Sequence, residues 1–236
     1  MVRHRARLCA ALALALAACA WPPPEPPAPE PEPLALPAGW QAVVLPGKRP
    51  THYAATRKAG RDAVAAHSER SASMLRKRVQ RHSDQLGHIT FSWWVEDLID
   101  GASVADIDRE DAPARVLLGF GGDHARLPAR TRMMFELAAA LTGETPPYAT
   151  LMYVWDAQAP VGSVIVNPRT DRVRKIVVDS GPMNLRRWRD HRRDLAADFR
   201  LAFGEDPGPL LSIAVMTDSD NTRSRAQSWY GAVTLH

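Results

Sequence analysis

The chain has 236 residues, with 30 basic and 26 acidic side chains and two cysteines. Arg3, Arg5 and Arg7 all fall in the first seven residues, and the 27 cations that remain against 26 acids give too weak a field for nucleic acid binding. Cys9 and Cys19 lie near the start, which excludes a disulfide or a cysteine nucleophile from the body of the chain; from Trp40 onward there is length enough for one sizeable core.

The three arginines lead into an apolar run of eleven residues, Leu8 to Ala18, too short to span a bilayer and suited to an export signal. It ends in "LAAC", Leu16 to Cys19, which resembles the lipobox of bacterial lipoproteins. Residues 1–18 are therefore expected to be a lipoprotein signal peptide, with Cys19 the acylated residue and the contact with the membrane. Ala20 after the cysteine points, by analogy, to the outer membrane; an ordinary secretory signal would instead leave the protein periplasmic or secreted. Pro22 to Pro37 holds nine prolines in sixteen residues with Glu25, Glu30 and Glu32 among them. Such a segment buries no core and favours extended polyproline II, so residues 19–38 read as a semi-rigid stalk. Residues 39–236 form the expected single domain.

In that domain alternation dominates. "HYAAT" and "DAVAAHS" flank "RKAGR" as a hairpin. Ile89, Phe91, Trp93 and Val95 share one strand face, opposed by Thr90, Ser92 and Glu96. Val116, Leu118 and Phe120 repeat the pattern. "PARTRMMFELAAALTG" is bounded by Pro128 and Gly143, a start and stop for a helix. "YATLMYVW", Tyr148 to Trp155, is apolar on both faces, as a central strand should be. "GSVIV" and "VRKIVV" flank "NPRTDR" as a second hairpin. "WRDHRRDLAADFRLAFG" puts Trp188, Leu195, Phe199 and Phe203 near one helical face and predicts a second helix. Leu210–Met216 and Trp229–Leu235 supply the last strands. Many short strands with two inserted helices predict a mainly β fold, a single β-sandwich, with a closed barrel as the competitor. A doubly wound sheet is excluded because strands and helices do not alternate.

No HExxH, GxSxG or phosphate-cradling glycine loop is present, and the histidines show no paired metal spacing. Three constellations are candidate ligand sites. In "TDSDN" the oxygens of Asp218, Asp220 and Asn221 suit calcium in type, but counting from Asp218 an EF-hand would require glycine at Arg223 and glutamate at Trp229. Three oxygens also fall short of calcium's usual six to eight, so the loop is expected to organise a turn, with Arg223 and Arg225 neutralising the aspartates, and no cofactor is expected. In "DREDAPAR", Asp111 and Arg115 could grip sugar hydroxyls, or Arg115 could pair with an acid of its own loop. Trp155 and Asp156 close an apolar strand, either as an aromatic plate beside a carboxylate or as core. The run Arg186 to Arg193 could meet anionic lipid or lipopolysaccharide phosphates, but the interleaved Asp190 and Asp194 argue instead for a solvated helix face with internal ion pairs.

"FSWWVEDLIDGASVADIDREDAPARVLLGF", "YATLMYVWD", "RRDLAADFRLAFGEDPGPL" and "IAVMTDSDNTRSRAQSWYGAVTL" together resemble a bacterial family known only as domain of unknown function 3047, over roughly Trp40 to Leu235. The resemblance implies an exported or envelope-associated jelly-roll sandwich similar to carbohydrate-binding modules, and no activity. Positions fitting the family pattern are Asp111, Arg115, Trp155, Asp156, Arg193, Asp198, Asp218, Asp220 and Asn221. The expected function is a non-enzymatic binding module for a glycan or other envelope ligand. The alternatives are a glycan-acting hydrolase, which would need two carboxylates across a cleft, and a structural protein of envelope assembly.

Overall fold

The computed structural model describes residues 35–236. The expected signal peptide, Cys19 and most of the stalk lie outside the described residues. The described chain runs through β1 (Trp40–Val44), β2 (His52–Lys58), β3 (Arg61–Glu69), β4 (Ser73–Arg81), β5 (His88–Val95), β6 (Ala112–Phe120), α1 (Ala129–Thr142), β7 (Ala149–Asp156) and β8 (Val164–Val166). It continues through β9 (Val173–Ser180), β10 (Arg189–Asp194), α2 (Leu195–Phe203), β11 (Leu210–Asp218), β12 (Arg225–Tyr230) and β13 (Thr234–Leu235). One sheet has seven strands in the order β1-β4-β11-β6-β7-β9-β8; the other has the order β10-β5-β12-β3-β2, with β13 also paired to β5. Among the described strands only β7 and β9 pair in parallel. The chain passes from sheet to sheet at β1–β2, β3–β4, β4–β5, β5–β6, β9–β10, β10–β11 and β11–β12, which makes the fold a jelly-roll sandwich rather than a closed barrel.

The period-two residues build the interior. Ile89, Phe91, Trp93 and Val95 of β5 face Val116, Leu118 and Phe120 of β6 and Leu151, Tyr153 and Trp155 of β7, in one cluster. Phe91 stacks on Tyr153 at 5.4 Å, and Trp93 meets Trp155 at 6.3 Å. Burying each such side chain contributes about 1.5–3 kcal/mol, so this seam carries much of the stability. The β2–β3 hairpin closes through Ala59 and Gly60, both at positive φ (47° and 81°), the two-residue turn whose twist matches antiparallel strands. Helix α1 lies where Pro128 and Gly143 set it, and Gly143 takes the left-handed cap at φ 75°.

The second expected helix is only half helical. Arg189–Asp194 is strand, because Arg189, His191 and Arg193 alternate inward onto carboxylates between the sheets. Arg189 Nε and His191 Nε2 reach Asp179 at 3.0 and 2.8 Å, and Arg193 holds Asp198 at 2.7 and 2.6 Å. Asp194 then caps α2 by accepting from the Ala197 amide at 2.9 Å. The predicted final strand begins earlier, at Arg225, and breaks at Gly231, where a Cβ would lie 2.2 Å from Ser92 Oγ. β1 and β4 were not anticipated; four cations in β4 mask its alternation.

Candidate functional site

The acidic loops of the sequence meet on the outer face of the seven-stranded sheet. A register shift between Met216 and Asp218 carries the Asp218 carboxylate opposite Ala112. There it accepts from the Ala112 amide at 3.1 Å and from Arg115 Nε and Nη2 at 2.8 and 2.9 Å. Arg115 Nη2 also donates to the Glu110 carbonyl at 2.6 Å. Glu110 accepts in turn from Lys175 Nζ at 2.6 Å, Asn167 Nδ2 at 2.9 Å and Arg169 Nη1 at 3.1 Å. Asp111 accepts from the amides of Asn221 and Thr222 and from Thr222 Oγ1, while Asp220 pairs with Lys48. Asn221 Nδ2 donates to the Ile107 carbonyl. Thus Asp111, Arg115, Asp218, Asp220 and Asn221 do converge, and they tie the loop before β6 to the β11–β12 turn.

Arg115 pairs most closely with Asp218, at 2.8 Å, and more distantly with Glu110 of its own loop, at 4.0 Å. One expectation about partners needs correction: Arg223 and Arg225 do not serve the aspartates, since Arg225 pairs with Glu69, and Asp218 and Asp220 take Arg115 and Lys48. One oxygen from each of Asp111, Asp218 and Asp220 falls within 4.8 Å of the others, but each carboxylate is already engaged. Burial pushes the Asp218 carboxyl up to about 6 despite Arg115. Burial and the neighbouring Arg115 push Lys175 down, with Glu110 opposing. For Arg115, burial works against the cation and the carboxylates of Asp218 and Glu110 outweigh it.

Trp155 and Asp156 point to opposite faces of β7 and form no plate beside a carboxylate. Trp155 is core, its indole donating to the Gly181 carbonyl at 3.2 Å. Asp156 accepts from the amides of Val104, Gln158 and Ala159 and fixes the loops around it. The run from Arg186 is a loop and a strand rather than a helix face, and its ion pairs are not internal: Arg186, Arg189 and Arg193 reach Asp97, Asp179 and Asp198, while Asp190 pairs with Arg61 and Asp194 caps α2.

The outer face of the six-stranded sheet is organised differently. Pairing across β2, β3, β12 and β5 sets His52, His67 and Gln227 in one row, which Glu96 extends, its amide donating to the Gln227 carbonyl. The parallel row, two residues along each strand, is Ala54, Ala65, Trp229 and Trp94. Trp188, just before β10, meets Trp94 edge to face at 6.2 Å. A cleft of about 650 Å³ lies over the polar row, bordered also by Arg49, Asp97 and the Glu69–Arg225 pair. Lys58 from the β2–β3 hairpin lays its ammonium 3.6 Å from the Trp229 ring and 4.8 Å from Trp94, and bonds Glu96 at 3.2 Å. Burial, with His52 adding to it, lowers the pKa of His67 and keeps that imidazole neutral more readily. This face was missed in the sequence. Its signal was there: Trp94 sits on the polar side of the Thr90–Ser92–Glu96 alternation, and Trp229 sits with Gln227 and Arg225.

A family model described as "Protein of unknown function (DUF3047)" matches residues 38–234. No curated protein matches the chain. Among solved structures, it is similar to the family 11 carbohydrate-binding module from Clostridium thermocellum in complex with a mixed-linked tetrasaccharide (10% identity, 84% of this chain and 88% of that one, TM-score 0.41). It is similar also to the xyloglucanase domain of NopAA from Sinorhizobium fredii (10%, 84% and 93%, 0.43) and to Trichoderma harzianum endoglucanase 3 from family GH12 (7%, 86% and 100%, 0.44). The likeness is loose and is one of strand arrangement.

Proposed function

The chain belongs to the DUF3047 family of proteins of unknown function, and from that premise we propose that its sandwich is a non-enzymatic glycan-binding module, carried on the outer face of the six-stranded sheet. One observation carries the reading. Trp94 and the largely buried Trp229 lie side by side, in a row with Ala54 and Ala65 and next to a row of planar hydrogen-bonding groups, His52, His67, Gln227 and Glu96. A sugar ring offers the matching pair of surfaces, apolar C–H faces and a rim of hydroxyls. Each row crosses three strand spacings, about 14 Å, the length of a short oligosaccharide. Lys58 covers the indoles in this structure while its side chain remains 24% exposed, so a ligand could take its place over the rings.

The paired state of the cleft's acids favours binding over hydrolysis. Glu69 is held by Arg225, Glu96 by Lys58 and the Trp94 indole, and Asp97 by Arg186. No two free carboxylates face one another across the cleft, as glycoside hydrolysis requires. In the same proposal the protein is an envelope lipoprotein anchored at Cys19, with the outer membrane as its place.

The test is a glycan array probed with residues 35–236, which contain both sheets and the core. A glycan should be retained, and Trp94→Ala or Gln227→Ala should weaken it at least about tenfold, with the circular dichroism spectrum unchanged. Absence of any bound glycan, or a bound one indifferent to both substitutions, would overturn the reading.

A further inference from the structure

Helix α1 buries little and exposes much. Thr131 and Phe135 are its buried residues, whereas Met133, Leu137 and Leu141 are 71%, 61% and 66% exposed. These three are spaced by four residues and so lie along one line of the helix, about 12 Å long. Across a groove of about 800 Å³ stands the β8–β9 turn, with Val166 46% exposed. A monomeric surface scatters exposed apolar side chains; a continuous stripe of them marks a contact.

The charges beside the stripe indicate what it meets. Arg130 lines the groove and has no acidic partner among the described residues. Arg126, in the turn just before α1, likewise has none, and Arg132 donates only to the carbonyls of Ala125 and Leu127. Arg169 completes the rim, paired with Glu110. The acids of this region are Asp123, Glu136, Asp171 and Glu144; Asp123 caps the turn by accepting from the Ala125 amide, and Glu144 is paired with Arg76 and Arg78. Three guanidinium groups at the N-terminal end of α1 and a fourth on the facing turn thus stand beside an apolar ridge. That is the arrangement of a helix lying in a lipid interface, with its apolar line among acyl chains and its cations at the phosphates.

We infer that α1 is a docking helix for an anionic lipid surface, inserting Met133, Leu137 and Leu141 while Arg126, Arg130 and Arg169 meet headgroup phosphates. This surface is separate from the tryptophan face and does not depend on glycan binding. Nor does it depend on acylation, because Cys19 lies outside the segment to be tested.

The experiment is co-sedimentation of residues 35–236 with vesicles of phosphatidylcholine alone and of phosphatidylcholine mixed equally with phosphatidylglycerol. Binding to the anionic vesicles should exceed binding to the neutral ones and should fall as salt is raised. Leu137→Ser should reduce it about tenfold, as expected when one largely exposed leucine no longer enters lipid. Arg130→Glu should reduce binding to the anionic vesicles and leave the neutral background unchanged. Both positions face solvent, and unchanged circular dichroism in the variants would establish that the fold is retained. No binding to anionic vesicles, or binding indifferent to Leu137→Ser, would overturn the inference. So would self-association abolished by Leu137→Ser without vesicle binding, which would make the stripe an interface between copies of the chain.

Discussion

Replacing Asp218 with alanine tests whether the buried ion network holds the sandwich together or merely decorates it. The substitution would leave the Arg115 guanidinium, 3% exposed at its side chain, without its bidentate partner, and would strip the Ala112 amide of its acceptor. Removing one member of a buried pair costs about 3–5 kcal/mol, because the other charge stays desolvated. A turn cap would cost only about 0.5–2 kcal/mol. In a domain of this size the larger loss corresponds to a fall in melting temperature of roughly 6–20 °C. Urea denaturation followed by tryptophan fluorescence would measure it, with an unchanged m value showing that the unfolded state is not altered. The double variant Asp218→Ala with Arg115→Met should recover much of the loss, since apolar groups in place of both partners are often nearly neutral. The reasoning is refuted if Asp218→Ala costs under about 1 kcal/mol, or if the two substitutions simply add.

The same carboxyl sets a pH dependence. With its folded-state pKa raised to about 6 against about 3.9 unfolded, Asp218 contributes stability that is fully present below pH ~4 and lost as pH rises through about 6; a comparison with Asp218→Asn in urea melts should isolate that slope. Calcium at millimolar concentration should leave the melting temperature unchanged, because Asp111, Asp218 and Asp220 are occupied by amides, Arg115 and Lys48; a rise lost in Asp220→Ala would mean a metal site. Cys19→Ala should abolish acyl labelling and release the protein from the membrane fraction, and persistent acylation would defeat the proposed anchor.

How much could be read beforehand depended on distance along the chain. The alternation at Ile89–Val95, the hairpin turns and α1 are set by neighbours within a few residues, and they stood in the sequence as period and punctuation. Residues Arg189–Asp194 were misread because their inward partners, Asp179 and Asp198, lie on β9 and α2, and six polar residues show no apolar period. The convergence of Asp111, Arg115 and Asp218 needed the β6–β11 pairing, which links positions more than a hundred residues apart. The row of Ala54, Ala65, Trp229 and Trp94 is likewise a product of strand order and register across four strands. Local pattern gives the strands; only their pairing gives the face they make.

The edge strand β10 carries a consequence of its own. A free edge offers unpaired amides and carbonyls to any extended chain that meets it, the route by which sheets stack into aggregates. Here that edge is the sequence "RDHRRD", with Asp190 and Arg192 turned outward and Arg189, His191 and Arg193 turned inward onto Asp179 and Asp198. An incoming strand would have to lie against a line of charges of mixed sign. On its inner side the carboxylates of Asp179 and Asp198 are already taken by β10. The side chains that tether the edge, Arg189 and His191 to the opposite sheet and Arg193 to α2, therefore also make it a poor template for aggregation.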